Sequence, residues 1–338
     1  MASYFARRLL LVLPTFLGVT LMVFAVTRFV PGGPVERMIA QAQQMEAKGG
    51  GTSRVGASAL SESQIQELKE YYGLDKPIFV SYVQWLWKVF HLDLGNSSRY
   101  NEPVWGLIKD RFPVSIFYGL VTLVLTYGVC VPLGVIKAVR HKSKMDNATS
   151  VLVFIGYAVP NYVVGILLLV LFASTWEVFP LSGFTGDGFS EMTLFGKTKD
   201  LLWHAALPLS AYMAGSFAVM TFLTKNSLMD NLAADYVRTA IAKGLDFKRA
   251  VLRHALRNSL IPIATSFGNE ISLILSGSFL VETIFNINGF GLLGYESVVE
   301  RDYPVVMGIL VLSSLLFLIG NILSDVCVAL VDPRVKFQ

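Results

Sequence analysis

Six stretches of this 338-residue chain, about 9–30, 113–137, 150–174, 203–223, 259–283 and 304–328, are long and apolar enough to cross a membrane as helices. A hydrocarbon core about 30 Å thick needs roughly 20 such residues at the rise of an α-helix. Everything else in the sequence must be fitted around these six. The chain is 54% hydrophobic and 15% charged, with mean hydropathy +0.56, outside the balance of a soluble domain. Arg7-Arg8 precedes the first stretch, as it would in a secretory signal. That stretch is too long for a signal core and lacks a small-residue cleavage site after it, so it reads as a retained helix. The expectation is an all-α membrane protein with six transmembrane helices.

Loop charge sets the orientation. Residues 138–149 carry Arg140, Lys142 and Lys144 against Asp146, and Lys137 stands at the border. Residues 224–258 carry seven Lys or Arg against three Asp. The intervening loops are acidic: 175–202 has two Lys against four acids, and 284–303 has one Arg against three. The positive-inside rule then places both termini and the two basic loops in the cytoplasm. This asymmetry accounts for the formal charge of +4, which is no nucleic-acid footprint. Cys130 and Cys327 fall inside spans, where they read as small packing residues rather than a disulfide or a metal site.

Residues 31–112 form the longest connection, expected on the extracytoplasmic side. Pro31-Gly-Gly-Pro34 makes a rigid exit from the first helix, Gly49 to Ser58 reads as flexible linker, and Ser61 with Gln64 suits a helix start. Tyr82, Trp85, Trp87 and Phe90 follow at spacings suited to an interfacial amphipathic helix. Nine basic and nine acidic residues balance over the segment, giving it no electrostatic preference for a charged ligand.

Between the fourth and fifth spans lies a polar, basic stretch that still carries helix signals. Val237, Ala240, Ile241 and Leu245 recur at helical spacing, Gly244 suits the left-handed residue that ends a helix, and Asp246 suits the N-cap of the next. A capped helix–turn–helix in a cytoplasmic loop reads as a docking element for a soluble partner. The span after it is half polar. Ser259, Pro262, Ser266, Asn269, Glu270, Ser276 and Gly277 approximate one helical stripe. An acid near a helix centre costs about 2.5–3.5 kcal/mol to insert, so this stripe should face other helices or a hydrated path. Glu270 is the main pathway candidate, with Ser266 and Asn269 beside it and Glu282 near the outer end, where a gate could sit.

Thr239-Ala-Ile-Ala-Lys-Gly244, with Asn258 and Pro262, resembles the coupling loop of bacterial ATP-binding-cassette importer permeases. The likeness extends over nearly the whole chain. Tyr4-Phe-Ala-Arg-Arg-Leu-Leu with Pro14-Thr, Tyr72-Gly-Leu-Asp-Lys-Pro77, Asp93-Leu-Gly95 with Ser97, Val281-Glu-Thr-Ile-Phe285, Gly289-Phe-Gly-Leu-Leu293, Arg301-Asp-Tyr-Pro304 and Asp332-Pro-Arg334 resemble the dipeptide/oligopeptide permease family in order. Pro31-Gly-Gly-Pro-Val35, Leu223-Thr-Lys-Asn-Ser227 and Leu293-Gly-Tyr-Glu296 look most like its microcin C-type branch. Ile241 and Lys225 stand where members usually or often carry Arg. The resemblance implies the type I ABC importer permease fold: an N-terminal helix (1–30), an extracytoplasmic loop (31–112), and a five-helix core (113–338) with coupling loop 224–258. It implies ATPase contacts at Thr239, Ala240, Ala242, Lys243, Gly244, Leu245 and Asp246. The implied partners are a second homologous permease subunit, two ATP-binding subunits or domains, an extracytoplasmic substrate-binding protein, a peptide substrate and membrane lipid, without nucleic acid. ATP and Mg would be used by the partner ATPase subunits. This chain lacks a G-x-x-x-x-G-K-[ST] loop, so no cofactor and no catalytic or metal residue is expected here.

A proton-coupled secondary transporter using Glu270 is the rival reading, though such carriers usually show an internal repeat with paired broken helices, and none is found here. A membrane enzyme fits least, because His91, His141, His204 and His254 form no metal or nucleophile constellation.

Overall fold

The computed structural model describes residues 2–29, 66–67, 70, 75–275 and 277–331. The Pro31–Pro34 exit, the 49–58 linker, the Ser61 cap with Gln64, Tyr72 to Leu74, Ser276 and Asp332-Pro-Arg334 lie outside the described residues. Among those described, the extended helices and helical turns are joined by loops, with one isolated bridge between Asn96 and Pro103.

In chain order the helices are α1 (Ala2–Phe29), α2 (Ile78–Phe90), α3 (Val104–Val139), α4 (Lys144–Ala158) and α5 (Asn161–Leu168), the last running on through wider π-turns to Thr175. After a short turn at Phe189–Glu191 come α6 (Leu194–Leu232), α7 (Asp235–Ala242) and α8 (Phe247–Ala250). A π-turn, Val251–Ala255, leads from α8 into α9 (Leu256–Ser259). The chain ends with α10 (Ile261–Leu275), α11 (Phe279–Ile284), α12 (Phe290–Val299) and α13 (Tyr303–Val331).

Three helices, α3, α6 and α13, are long and apolar enough to cross a membrane, and α1 contains an apolar stretch from Leu10 to Ala25. Two of the expected spans are broken. The stretch at 150–174 is no straight helix, because α4 and α5 meet at a bend of 101°. Pro160 causes it: Val159 takes φ −93°, ψ 124°, the extended conformation favoured before proline. The stretch at 259–283 stops at Leu275, and Gly277 at φ +74° separates it from α11. The polar stripe expected along one continuous helix is therefore divided in its C-terminal third.

The chain forms two compact units. The first comprises Met1–Leu9, Arg111–Leu293 and Leu315–Gln338. Its largest core gathers Tyr118, Ala173, Ala205, Leu207, Leu209, Ala211, Val281, Phe285 and Ile287. Lipid tails are as apolar as leucine, so helices in a membrane associate through close packing of small residues rather than through hydrophobic gain. Gly268 on α10 shows this, since a Cβ there would collide with the Gly320 carbonyl of α13. Beside that contact Ser324 Oγ donates to Thr265 O at 2.6 Å and lies 2.9 Å from Ala264 O. Arg8 meets Asp325 through Nε at 2.9 Å and a terminal nitrogen at 3.0 Å, tying the first turns of α1 to α13.

The second unit comprises Leu10–Asp110 and Gly294–Ser314. The aromatic set expected to lie together at an interface divides here. Tyr82 is buried, with its hydroxyl 3.0 Å from Thr20 Oγ1 and its ring edge-on to Phe24, while Trp87 and Phe90 are exposed. Asp302, 1% exposed, organises a second cluster in this unit. It accepts from Ser97 Oγ at 2.5 Å, Ser98 Oγ at 3.1 Å and the Ser98 and Arg99 N–H groups. Arg99 continues outward to Glu300 at 2.9 Å and Glu296 at 3.3 Å.

Candidate functional site

The loop singled out in the sequence folds as a helix, a tight turn and a second helix. The turn at Gly244 has φ +90°. Gly244 N–H donates to Ile241 O at 2.9 Å and Leu245 N–H to Ala240 O at 3.1 Å, the paired bonds of a Schellman ending. An L-residue is strained at that φ, and only glycine adopts it freely. Asp246 then caps α8 by accepting from Lys248 N–H at 3.2 Å.

Apolar positions of the loop face two ways. Val237, Ala250, Val251 and Ala255 are buried against Ala138 of α3 and Leu228 of α6, with Leu245 packed alongside. Ile241, expected in the same stripe as Val237, is instead 40% exposed. It stands one turn on from Val237 on the same face but past the end of the packing that covers Val237, and Tyr236, Phe247 and Leu252 are exposed as well. Thr239, Ala242, Lys243, Gly244 and Asp246 are exposed too, and Ala240 is half-buried. A rooted base thus carries an outer surface of small, apolar and basic groups.

Beneath that base is a cluster the sequence reading counted only as loop charge. Lys225 Nζ of α6 contacts both carboxylate oxygens of Asp146, at 2.7 and 2.8 Å. Lys137 Nζ of α3 lies 3.1 Å from Asp146 Oδ1 and donates to Asp146 O, Thr149 Oγ1 and Ser150 Oγ at 2.8–2.9 Å. Lys142 N–H and His141 Nδ1 approach Asp146 Oδ2 at 3.1 and 3.4 Å. Lys137, Asp146 and Lys225 are 0%, 1% and 8% exposed. Burial alone would raise the Asp146 pKa, but the hydrogen bonds from Lys225, Lys137 and Lys142 and the charge of Lys225 outweigh it and hold the carboxyl well below the usual range. One sequence signal pointed here: Ser143-Lys-Met-Asp146 has a capping-box spacing, and Ser143 accepts from Asp146 N–H at 3.2 Å.

The candidate pathway residues separate. Glu270 is partly buried and accepts from Ser216 Oγ of α6 at 3.2 Å. Ser266 spends its hydroxyl on Pro262 O, one turn back, at 3.0 Å. The Asn269 side chain lies outside the described residues. Glu282 stands on the next helix, α11, beyond Gly277, and is 1% exposed. Its oxygens accept from Leu292 N–H at 2.6 Å and the Tyr212 hydroxyl at 3.2 Å. Gly277, Gly289 and Gly291 surround it, and a Cβ on any of them would crowd the carboxylate. Glu282 thus staples α11 to the 289–292 turn. Among the described residues no group of three His, Cys, Asp or Glu could hold a metal.

Long helices, a rooted loop with an exposed outer surface and an acid between spans describe a membrane component built to work with others. The family described as "Binding-protein-dependent transport system inner membrane component" matches residues 130–337, and the chain belongs to it. It is a multi-pass protein of the inner membrane. It is 39% identical to the peptidoglycan transport system permease protein YejB of Agrobacterium fabrum, over 100% of this chain and 99% of the relative. It is 35% identical to the oligopeptide transport system permease protein AppB of Bacillus subtilis and 32% identical to the dipeptide transport system permease protein DppB of Escherichia coli strain K12, each over the full length of both chains.

Proposed function

We propose that this chain is one permease subunit of an ATP-driven peptide importer, crossing the membrane six times with both termini in the cytoplasm. In this reading it pairs with a second homologous permease and forms half of the pathway. The complex carries two ATP-binding subunits or domains, one of them docked on this chain's cytoplasmic loop, and an extracytoplasmic binding protein delivers the peptide. ATP and Mg belong to the ATPase subunits. The peptide cargo is supported by the permease names of the full-length relatives.

The observation that carries the coupling role is the construction of the 235–262 loop. Its inner face is locked by Val237, Val251 and Ala255, while the turn at Gly244 presents an outer surface with open space around it. Thr239, Ala240, Ala242, Lys243, Gly244, Leu245 and Asp246 form the contact with the ATPase. Closure of the ATPase pair on ATP moves this rooted element as a lever and tilts the helices beneath it. Glu270, with Ser266 and Asn269 on the same helix, faces the translocation path, and Glu282 braces the turn at its outer end.

Gly244→Trp tests the reading. No atom lies within 4 Å of a Cβ built at Gly244, so the indole itself meets nothing within the chain; the strain of an L-residue at φ +90° is shared by the control Gly244→Ala, which lacks the bulk that obstructs a docked partner. The assembled variant should lose peptide uptake, and wild-type uptake should stop when ATP is depleted while a proton gradient persists. Intact uptake by the assembled variant sinks the docking role, and uptake surviving ATP depletion sinks the ATP-driven one.

A further inference from the structure

We propose that Lys225, Asp146 and Lys137 are positioning residues that make the inner ends of α3, α4 and α6 move as one block, so that displacement of the coupling loop reaches all three helices together. This rests on the coupling role proposed for the 235–262 loop, and it identifies the step between that loop and the spans.

Three observations carry it. The cluster joins three helices at buried atoms: Asp146 in the first turn of α4, Lys137 in the last turn of α3, and Lys225 two turns before the end of α6. Its bonds are short, and Lys225 grips both oxygens of one carboxylate. It also adjoins the root of the loop. Ala138 and Leu228, in the apolar cluster that seats Val237 and Val251, stand one and three residues from Lys137 and Lys225. Force applied at α7 thus enters α6 and α3 through packed carbon, and the ion cluster holds α4 to both.

Ionic links suit this task better than packing alone. In a membrane, an apolar side chain that leaves its neighbour meets a lipid tail equally apolar, whereas separating buried charges leaves them uncompensated. Two lysines on one aspartate also leave the cluster net positive, with His141 the nearby group that adds to it on protonation. The hydroxyls of Thr149 and Ser150 and the Asp146 carbonyl accept the three Lys137 ammonium hydrogens, with the Asp146 carboxylate 3.1 Å away as counter-charge. Arginine should serve at Lys225, because its planar fork matches the two carboxylate oxygens already engaged.

The test is made on the complete importer in proteoliposomes, with peptide uptake and ATP hydrolysis measured separately. Lys225→Met is the variant of choice, because Asp146 keeps Lys137 as its partner. Uptake per ATP should fall roughly two- to thirty-fold, the span of mutational effects on coupling, while Lys225→Arg stays near wild type. An unchanged ratio in Lys225→Met overturns the proposal. So does a loss of assembled complex in which uptake and hydrolysis fall in proportion, since that reports a structural role only. Gly244→Trp separates the two layers of the argument. If it uncouples and Lys225→Met does not, only this inference fails; if neither uncouples, the coupling role of the loop fails too.

Discussion

Glu282 occupies a pocket defined by missing side chains, and replacing Gly289 with alanine puts one back. The new Cβ would lie 2.5 Å from the Glu282 Cδ and 2.6–2.7 Å from its oxygens. Gly289 is absent from the positive-φ positions, so the backbone accepts alanine and the cost is steric. Ordinary contact begins near 3.4 Å, so the carboxylate must retreat by roughly 0.9 Å in a core already close-packed. It cannot do so and keep the bonds from both Leu292 N–H and the Tyr212 hydroxyl. Each hydrogen bond to a charged group contributes about 1.5–3 kcal/mol, which puts the expected cost of Gly289→Ala at about 2–4 kcal/mol. The same change in a Glu282→Ala background meets no carboxylate and should cost less than about 1 kcal/mol, leaving a coupling energy of about 1.5–3 kcal/mol. Denaturant unfolding of the purified protein in detergent, run as a double-mutant cycle, measures this directly. Equal costs in the two backgrounds, within about 0.5 kcal/mol, would refute the staple.

Two further outcomes are expected. Glu270→Gln keeps the shape of the Ser216 contact but removes the charge, and it should lower peptide uptake in proteoliposomes without changing the amount of assembled complex; wild-type uptake would remove Glu270 from the pathway. Asp146 has a folded pKa held below its unfolded one, so its stabilisation is full above the ordinary carboxylate pKa of about 4 and lost as pH falls below it. Asp146→Asn should therefore cost about 3–5 kcal/mol at pH 7, by leaving two lysines uncompensated, and the gap from wild type should narrow below about pH 4. Thermal unfolding curves that stay parallel between pH 7 and pH 3 would contradict this.

Local signals survived the passage from sequence to structure best. Gly244 and Asp246 do what a helix-ending glycine and an N-cap aspartate do anywhere, because their roles depend on φ and on one nearby N–H. The apolar lengths at α3, α6 and α13 were equally plain. Hydropathy carries no information on direction, however, so the 101° turn at Pro160 and the stop before Gly277 stayed hidden inside apolar runs. Ile241 shares the apolar stripe of Val237 yet is exposed, because spacing defines a face without saying how wide its support is. The ion cluster needed tertiary knowledge altogether. Lys225 and Asp146 are 79 residues apart, and nothing in the sequence pairs these two loop charges.

The Asp302 knot also sets a schedule for synthesis. Ser97 and Asp302 are 205 residues apart, and Arg8 and Asp325 are 317 apart. At roughly 5–20 residues per second of translation, Ser97, Ser98 and Arg99 wait about 10–40 s for the carboxylate that closes their loop. The second unit closes its seam as soon as Asp302 emerges, whereas the first waits for Asp325 of α13. A chain cut short before α13 therefore holds both sides of the Asp302 knot while its first unit still lacks Asp325, the partner of Arg8.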